Sequence, residues 1–185
     1  MPFIIRRSVV VDTESDVRDA QAAAAKYASF LRQNRDRIPL TLFRFFATDF
    51  FHDGQIETID HTPGFHEVCF RIWCPNIQLK EASTTRFVNA LFEVRFREVS
   101  RFVVDPEPEP AATAPLSFLG GEIETLVTDT QSLPHGQTAA KHSLIVETDS
   151  CWISFIFGAV EVEPVEPLAF ELLCNDPRFS MPWAE

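Results

Sequence analysis

Residues 86–97 read Arg-Phe-Val-Asn-Ala-Leu-Phe-Glu-Val-Arg-Phe-Arg. Val88, Ala90, Phe92, Val94 and Phe96 alternate with Glu93, Arg95 and Arg97, so apolar groups share one face and charges the other. This pattern predicts a half-buried strand of an antiparallel sheet with one wet face. Glu98 and Ser100 interrupt the stripe before Phe102 and Val104 resume it, which predicts a bulge or bend.

Outward from this strand the β pattern continues in both directions. Segments 55–60 and 65–73 flank Thr62-Pro63-Gly64, and a Pro-Gly pair fits a type II turn. Asp53-Gly54 marks an earlier turn. Downstream, 105–115 contains four prolines and predicts an extended, solvated loop. A strand is expected near 122–128, after Gly120-Gly121. Segments 142–148 and 152–163 then predict a hairpin around Asp149-Ser150, with Ile153, Phe155 and Phe157 on one face.

The N-terminal quarter reads differently. Residues 3–11 are β-branched and predict a short strand. Helix signals follow: Thr13 stands three before Asp16 as a capping-box variant, with Glu14 adding negative charge to the first turn. Val17, Ala20, Ala24, Tyr27 and Leu31 recur at steps of three and four, so the helix expected over 13–33 turns one stripe to a core. Its narrow Ala run, 22–25, suits close packing on a sheet. Residues 40–51 carry five phenylalanines, and their periodicity does not choose between helix and strand. The expected architecture is a single α+β domain over 1–185. A largely antiparallel, curved sheet of seven or eight strands carries the long N-terminal helix on one face, with the 88–96 and Val17/Ala24/Leu31 stripes facing each other.

Composition bounds the function. The 185 residues include 16 Lys+Arg against 27 Asp+Glu, a net charge of −11, which argues against nucleic acid or an anionic membrane as partner. No apolar run approaches the roughly 20 residues needed to cross a bilayer. No cleavage site follows Met1-Pro-Phe-Ile-Ile-Arg-Arg, so a cytoplasmic location is expected. Eighteen Phe against one Tyr implies aromatic burial without polar handles. Cys69, Cys74, Cys151 and Cys174 lack CxxC spacing and read as small buried hydrophobes, with Cys69 and Cys74 on opposite strand faces.

Chemistry-bearing residues are few. If the Pro63-Gly64 turn closes a tight hairpin, His61 lies opposite His66, and His52 and Asp53 could complete a metal site that activates water. The competing reading makes His52 and Asp53 structural, with the Asp carboxylate accepting backbone N–H groups in its turn. No GxSxG elbow and no phosphate-cradling Gly loop occurs, and no cofactor is expected. Glu57, Asp60, Glu67, Glu122 and Glu124 are scattered along strands, either as a solvated sheet face or as contacts for a basic partner.

The stretch Phe51-His52-Asp53-Gly54-Gln55-Ile56-Glu57-Thr58-Ile59 resembles a small bacterial family carrying an aromatic-His-Asp-x-x-Ile-x-x-Ile signature. That family includes immunity proteins of polymorphic toxin systems. The resemblance extends loosely to 88–96 and to the apolar hairpin 142–147 and 152–162; residues 3–33 and 105–115 fall outside it. It implies a β-rich protein that neutralises a cognate toxin without catalysis, and it transfers no catalytic residue. The leading expectation is therefore a non-enzymatic binding protein whose acidic surface blocks a basic toxin. The alternatives are a metal-assisted hydrolase built on His52, Asp53, His61 and His66, and an accessory subunit docking through its Phe-rich 40–51 segment.

Overall fold

The computed structural model describes residues 14–47, 50–64, 66–81, 84–105, 115–126 and 141–166. Among these residues two helices come first: α1 (Glu14–Gln33) and α2 (Leu40–Phe46). Eight strands follow: β1 (Gln55–His61), β2 (Glu67–Glu81), β3 (Thr84–Arg97), β4 (Arg101–Asp105), β5 (Leu116–Leu126), β6 (Lys141–Thr148), β7 (Trp152–Phe157) and β8 (Ala159–Pro164). The strands form one antiparallel sheet in the order β4-β7-β6-β5-β1-β2-β3-β8, and with the helices they make an α+β fold.

The break read at 98–100 is a corner. Glu98 takes a φ of 55°, in the left-handed region, between β3 and β4. A matching corner at Gly158 separates β7 from β8, where a single strand over 152–163 was expected. The two bent ribbons stay paired on both sides: β3 with β8, then β4 with β7. Ser100 N–H donates to the Ile156 carbonyl at 2.8 Å, and Gly158 N–H to that of Arg97 at 3.0 Å, which carries the ladder through the bend. The sheet thereby folds over, and β7 faces β2 and β3 across the core. Phe155 lies 5.2 Å from Phe70 and 4.8 Å from Phe96, and Phe157 lies 5.0 Å from Phe96, between ring centroids.

The even-numbered stripe of β3 is buried as read, but a different element covers it. Phe45 and Phe50 lie against Phe92, and Phe46 against Phe96, at 5.5 to 6.0 Å between ring centroids. Within the 40–51 segment α2 starts directly after Pro39 and a turn begins at Phe50, and together they fill the fold with Leu42, Phe43, Phe45, Phe46, Phe50 and Phe51. Each such side chain contributes about 1.5–3 kcal/mol when fully buried, so these rings outcompete an Ala stripe for the sheet. In α1 only the last turns reach the core: Tyr27 and Leu31 are buried, whereas Val17 is 42% exposed and Ala22, Ala24 and Ala25 face solvent. The expected facing of the Val17/Ala24/Leu31 stripe and β3 is therefore corrected. Tyr27 docks the helix, because Ile123 N–H donates to its Oη at 2.7 Å. That N–H lies on β5 beyond the two residues, Leu116 and Ser117, that pair with β1.

Other boundaries shift for local reasons. β2 runs on to Glu81 through Pro75, which sits where the β2–β3 register slips between Cys74 and Ile77, a position that tolerates a missing N–H. β5 begins at Leu116 and passes through Gly120 and Gly121, six residues before the strand expected at 122. Asp105, read as the first loop residue, closes β4. The strand expected over 3–11, the Thr13 cap, the loop interior 106–114 and Cys174 lie outside the described residues.

Candidate functional site

The sheet's outer face over β1, β2, β3 and β8 follows from the alternation that buries Val68, Phe70, Ile72, Phe92, Val94 and Phe96 within. Outward-facing partners line up across it. Asp60 stands opposite Cys69, Cys69 opposite Arg95, and Arg95 opposite Glu161; in the next rows Glu67 meets Arg97 and Arg71 meets Glu93. Arg95 Nη2 donates to Glu93 at 2.6 Å, and Arg97 reaches Glu161 at 2.9 Å and Glu67 at 3.8 Å. The Glu93 hydrogen bond holds Arg95 above the ordinary guanidinium range. This is a charge lattice, the sheet counterpart of helix ion pairs.

Cys69 sits half-buried at its centre. Burial pushes its thiol up, and the Glu93 carboxylate pushes in the same direction, so the site holds a protonated thiol rather than a nucleophile. Cys74 and Cys151 are buried, and Cys69 and Cys74 do occupy opposite faces.

The five acidic candidates do not form one surface. Glu57, at the β1 bulge between Ile56 and Thr58, and Asp60 are exposed, and Thr58 Oγ1 donates to the Asp60 carboxylate at 3.2 Å. Glu67 is half-buried and shares Arg97. Glu122 and Glu124 are half-buried on β5, which pairs antiparallel to β1 only at Gln55↔Ser117 and Ile56↔Leu116. From that crossing the two strands' remaining residues run apart. Asp60 and Glu122 are therefore separated by roughly 30 Å of strand at about 3.3 Å per residue.

The histidine cluster does not assemble. Thr62 N–H donates to the Glu67 carbonyl at 3.0 Å and His61 pairs with Val68, so His66 lies in the connecting loop and not opposite His61. Gly64 has the positive φ, 83°, that a type II turn requires after Pro63, but the loop it belongs to is longer than the two-residue turn assumed. His52 and Asp53 occupy the other end of β1, about 20 Å away along the strand. Among the described residues no group of three His, Cys, Asp or Glu is placed to hold a metal ion. Asp53 does not cap its turn as expected. Its carboxylate meets His52 Nδ1 at 3.1 Å, and the turn is held by backbone: Asp53 N–H to the Phe118 carbonyl and Gly54 N–H to that of Phe51. Glycine is needed at 54 because a Cβ would lie 2.8 Å from the Phe51 oxygen.

Two buried polar groups escaped the sequence reading. His142 is 2% exposed, its ring is 6.0 Å from Phe157, and its Nδ1 is buried without a hydrogen-bond partner. Burial pushes its imidazole below the ordinary 6.5. Glu147 is also buried, with Oε1 unpartnered. The alternation His142, Leu144, Val146 was a usable signal for the first, since it puts an imidazole on an apolar face. The second has no such signal, because Glu147 shares the outward face with Ser143 and Ile145.

No family model matches the sequence, and no curated protein does. Among solved structures the chain is similar to the crystal structure of an uncharacterized protein from Neisseria gonorrhoeae, at 9% identity over 62% of this chain and 93% of that one. The TM-score is 0.32, too low to carry an argument. Among the described residues no helix is long and apolar enough to cross a membrane.

Proposed function

We propose that this is a non-catalytic binding protein that engages a basic protein through the exposed carboxylates of β1. One observation carries the reading. Glu57 and Asp60 stand exposed on β1, beside a face whose carboxylates Glu67, Glu93 and Glu161 are already met by arginines. With a net charge of −11 behind them, they complement a cationic surface and would speed its encounter. The resemblance of 51–59 to immunity-type proteins supports a toxin as that partner, acting in the cytoplasm. The Phe-rich docking reading loses its surface, because Phe43, Phe45, Phe46, Phe50 and Phe51 are all buried. The metal-hydrolase reading loses its cluster.

The test is affinity capture from the source cell with three proteins: wild type, the Glu57→Lys/Asp60→Lys pair and the Glu122→Lys/Glu124→Lys pair. Wild type and the β5 pair are expected to retain a basic protein that the β1 pair loses. Equal capture by all three, or loss confined to the β5 pair, overturns the assignment.

A further inference from the structure

Among the described residues the sheet has two edge strands, and they differ in what they would accept. Among the described residues β4 has a strand neighbour, β7, on one side only, and β8 has only β3. β8 reads Ala-Val-Glu-Val-Glu-Pro: a copy aligned antiparallel about Val162 would set Glu161 against Glu163, and Pro164 offers no N–H. This edge rejects its own kind.

β4 reads Arg-Phe-Val-Val-Asp and does the opposite. We propose that β4 is the contact strand of a symmetric homodimer, in which a second copy adds its own β4 antiparallel across a two-fold axis through Val103. That register sets each Arg101 against the Asp105 of the other copy and each Phe102 against Val104, so one strand supplies both halves of every pair. Arg101, Val103 and Asp105 are exposed on the outer face, Val103 to 38%, while Phe102 is held from within by Phe155 at 5.3 Å. The two Val103 side chains would cover one another at the axis. The contact is isologous and closes at two copies. It lies apart from the β1 carboxylates and does not rest on the proposed partner.

Sedimentation of the full chain over a dilution series tests this. Wild type is expected to reach twice the mass of one chain on concentration. Arg101→Asp and Asp105→Arg each bring like charges together twice per dimer, so each should raise the dissociation constant about ten-fold or more. The Arg101→Asp/Asp105→Arg double variant restores opposite pairs and should return the constant to near wild type. That rescue separates pairing from misfolding. A wild-type monomer at all concentrations, a dimer indifferent to either single change, or a double variant that stays monomeric overturns the proposal.

Discussion

His142 couples the fold to acid. An unfolded chain takes up the imidazole proton near 6.5, whereas the buried imidazole of β6 takes it up only at lower pH. The unfolded state therefore binds more protons in that window, and stability is complete above about 6.5 and falls as pH drops below it. The melting temperature of wild type, minus that of His142→Phe, should decline as pH falls below about 6.5; a constant difference would place the imidazole in contact with water. Tyr27 makes a second residue-scale test. Removing its hydroxyl in Tyr27→Phe leaves the buried Ile123 N–H without a partner and should cost about 1–3 kcal/mol, read from denaturant melts. At Asp53 the cost lies in the backbone, with φ at 63°. Asp53→Ala should therefore lose about 1 kcal/mol while Asp53→Gly loses none; a clear loss in Asp53→Gly as well would make the His52 contact the stabilising one.

At the scale of elements, the two helices have exchanged importance. Phe46→Ala should cost about 3–5 kcal/mol, because its ring touches Phe51, Phe96 and Phe118, whereas Val17→Lys on α1 should change stability by less than about 0.5 kcal/mol. Urea titrations of the two variants decide this. β3 and the bend after it were legible because alternation and its interruption are local properties of the chain. The roles of α1 and α2 were not, since the Phe-rich 40–51 run fits neither period cleanly and an Ala stripe marks only a face that could be covered. The β1–β2 hairpin was legible as a turn at Pro63-Gly64, but its register depends on how many residues the loop keeps, which decides whether two histidines meet.

For the whole molecule, charge is the property that the sequence states best and distributes worst. Five carboxylates looked equivalent along the strands, and from the brief β1–β5 crossing Glu57 and Asp60 run one way along their strand while Glu122 and Glu124 run the other. Glu57→Lys/Asp60→Lys should slow association with the captured basic partner more than it speeds dissociation, and the wild-type rate should fall as salt rises. A rate independent of ionic strength would point to an apolar contact instead. Nucleic acid should not bind at physiological salt, a direct filter-binding measurement.

The doubled corner also governs when the protein can be completed. β3 and β4 find their β8 and β7 partners roughly fifty to seventy residues later in the chain. On a ribosome, β1, β2 and β3 can zip together as a meander while β4 is held with its backbone groups bare, waiting for the ribbon that will span both sides of the bend. Closing such long loops is slow, on the order of milliseconds to seconds for β-rich folds, so pairing of the 152–164 ribbon is expected to come late in folding. A nascent chain that stops before residue 152 leaves the β3 and β4 edge without the ribbon that pairs with it, an edge open to pairing with other chains.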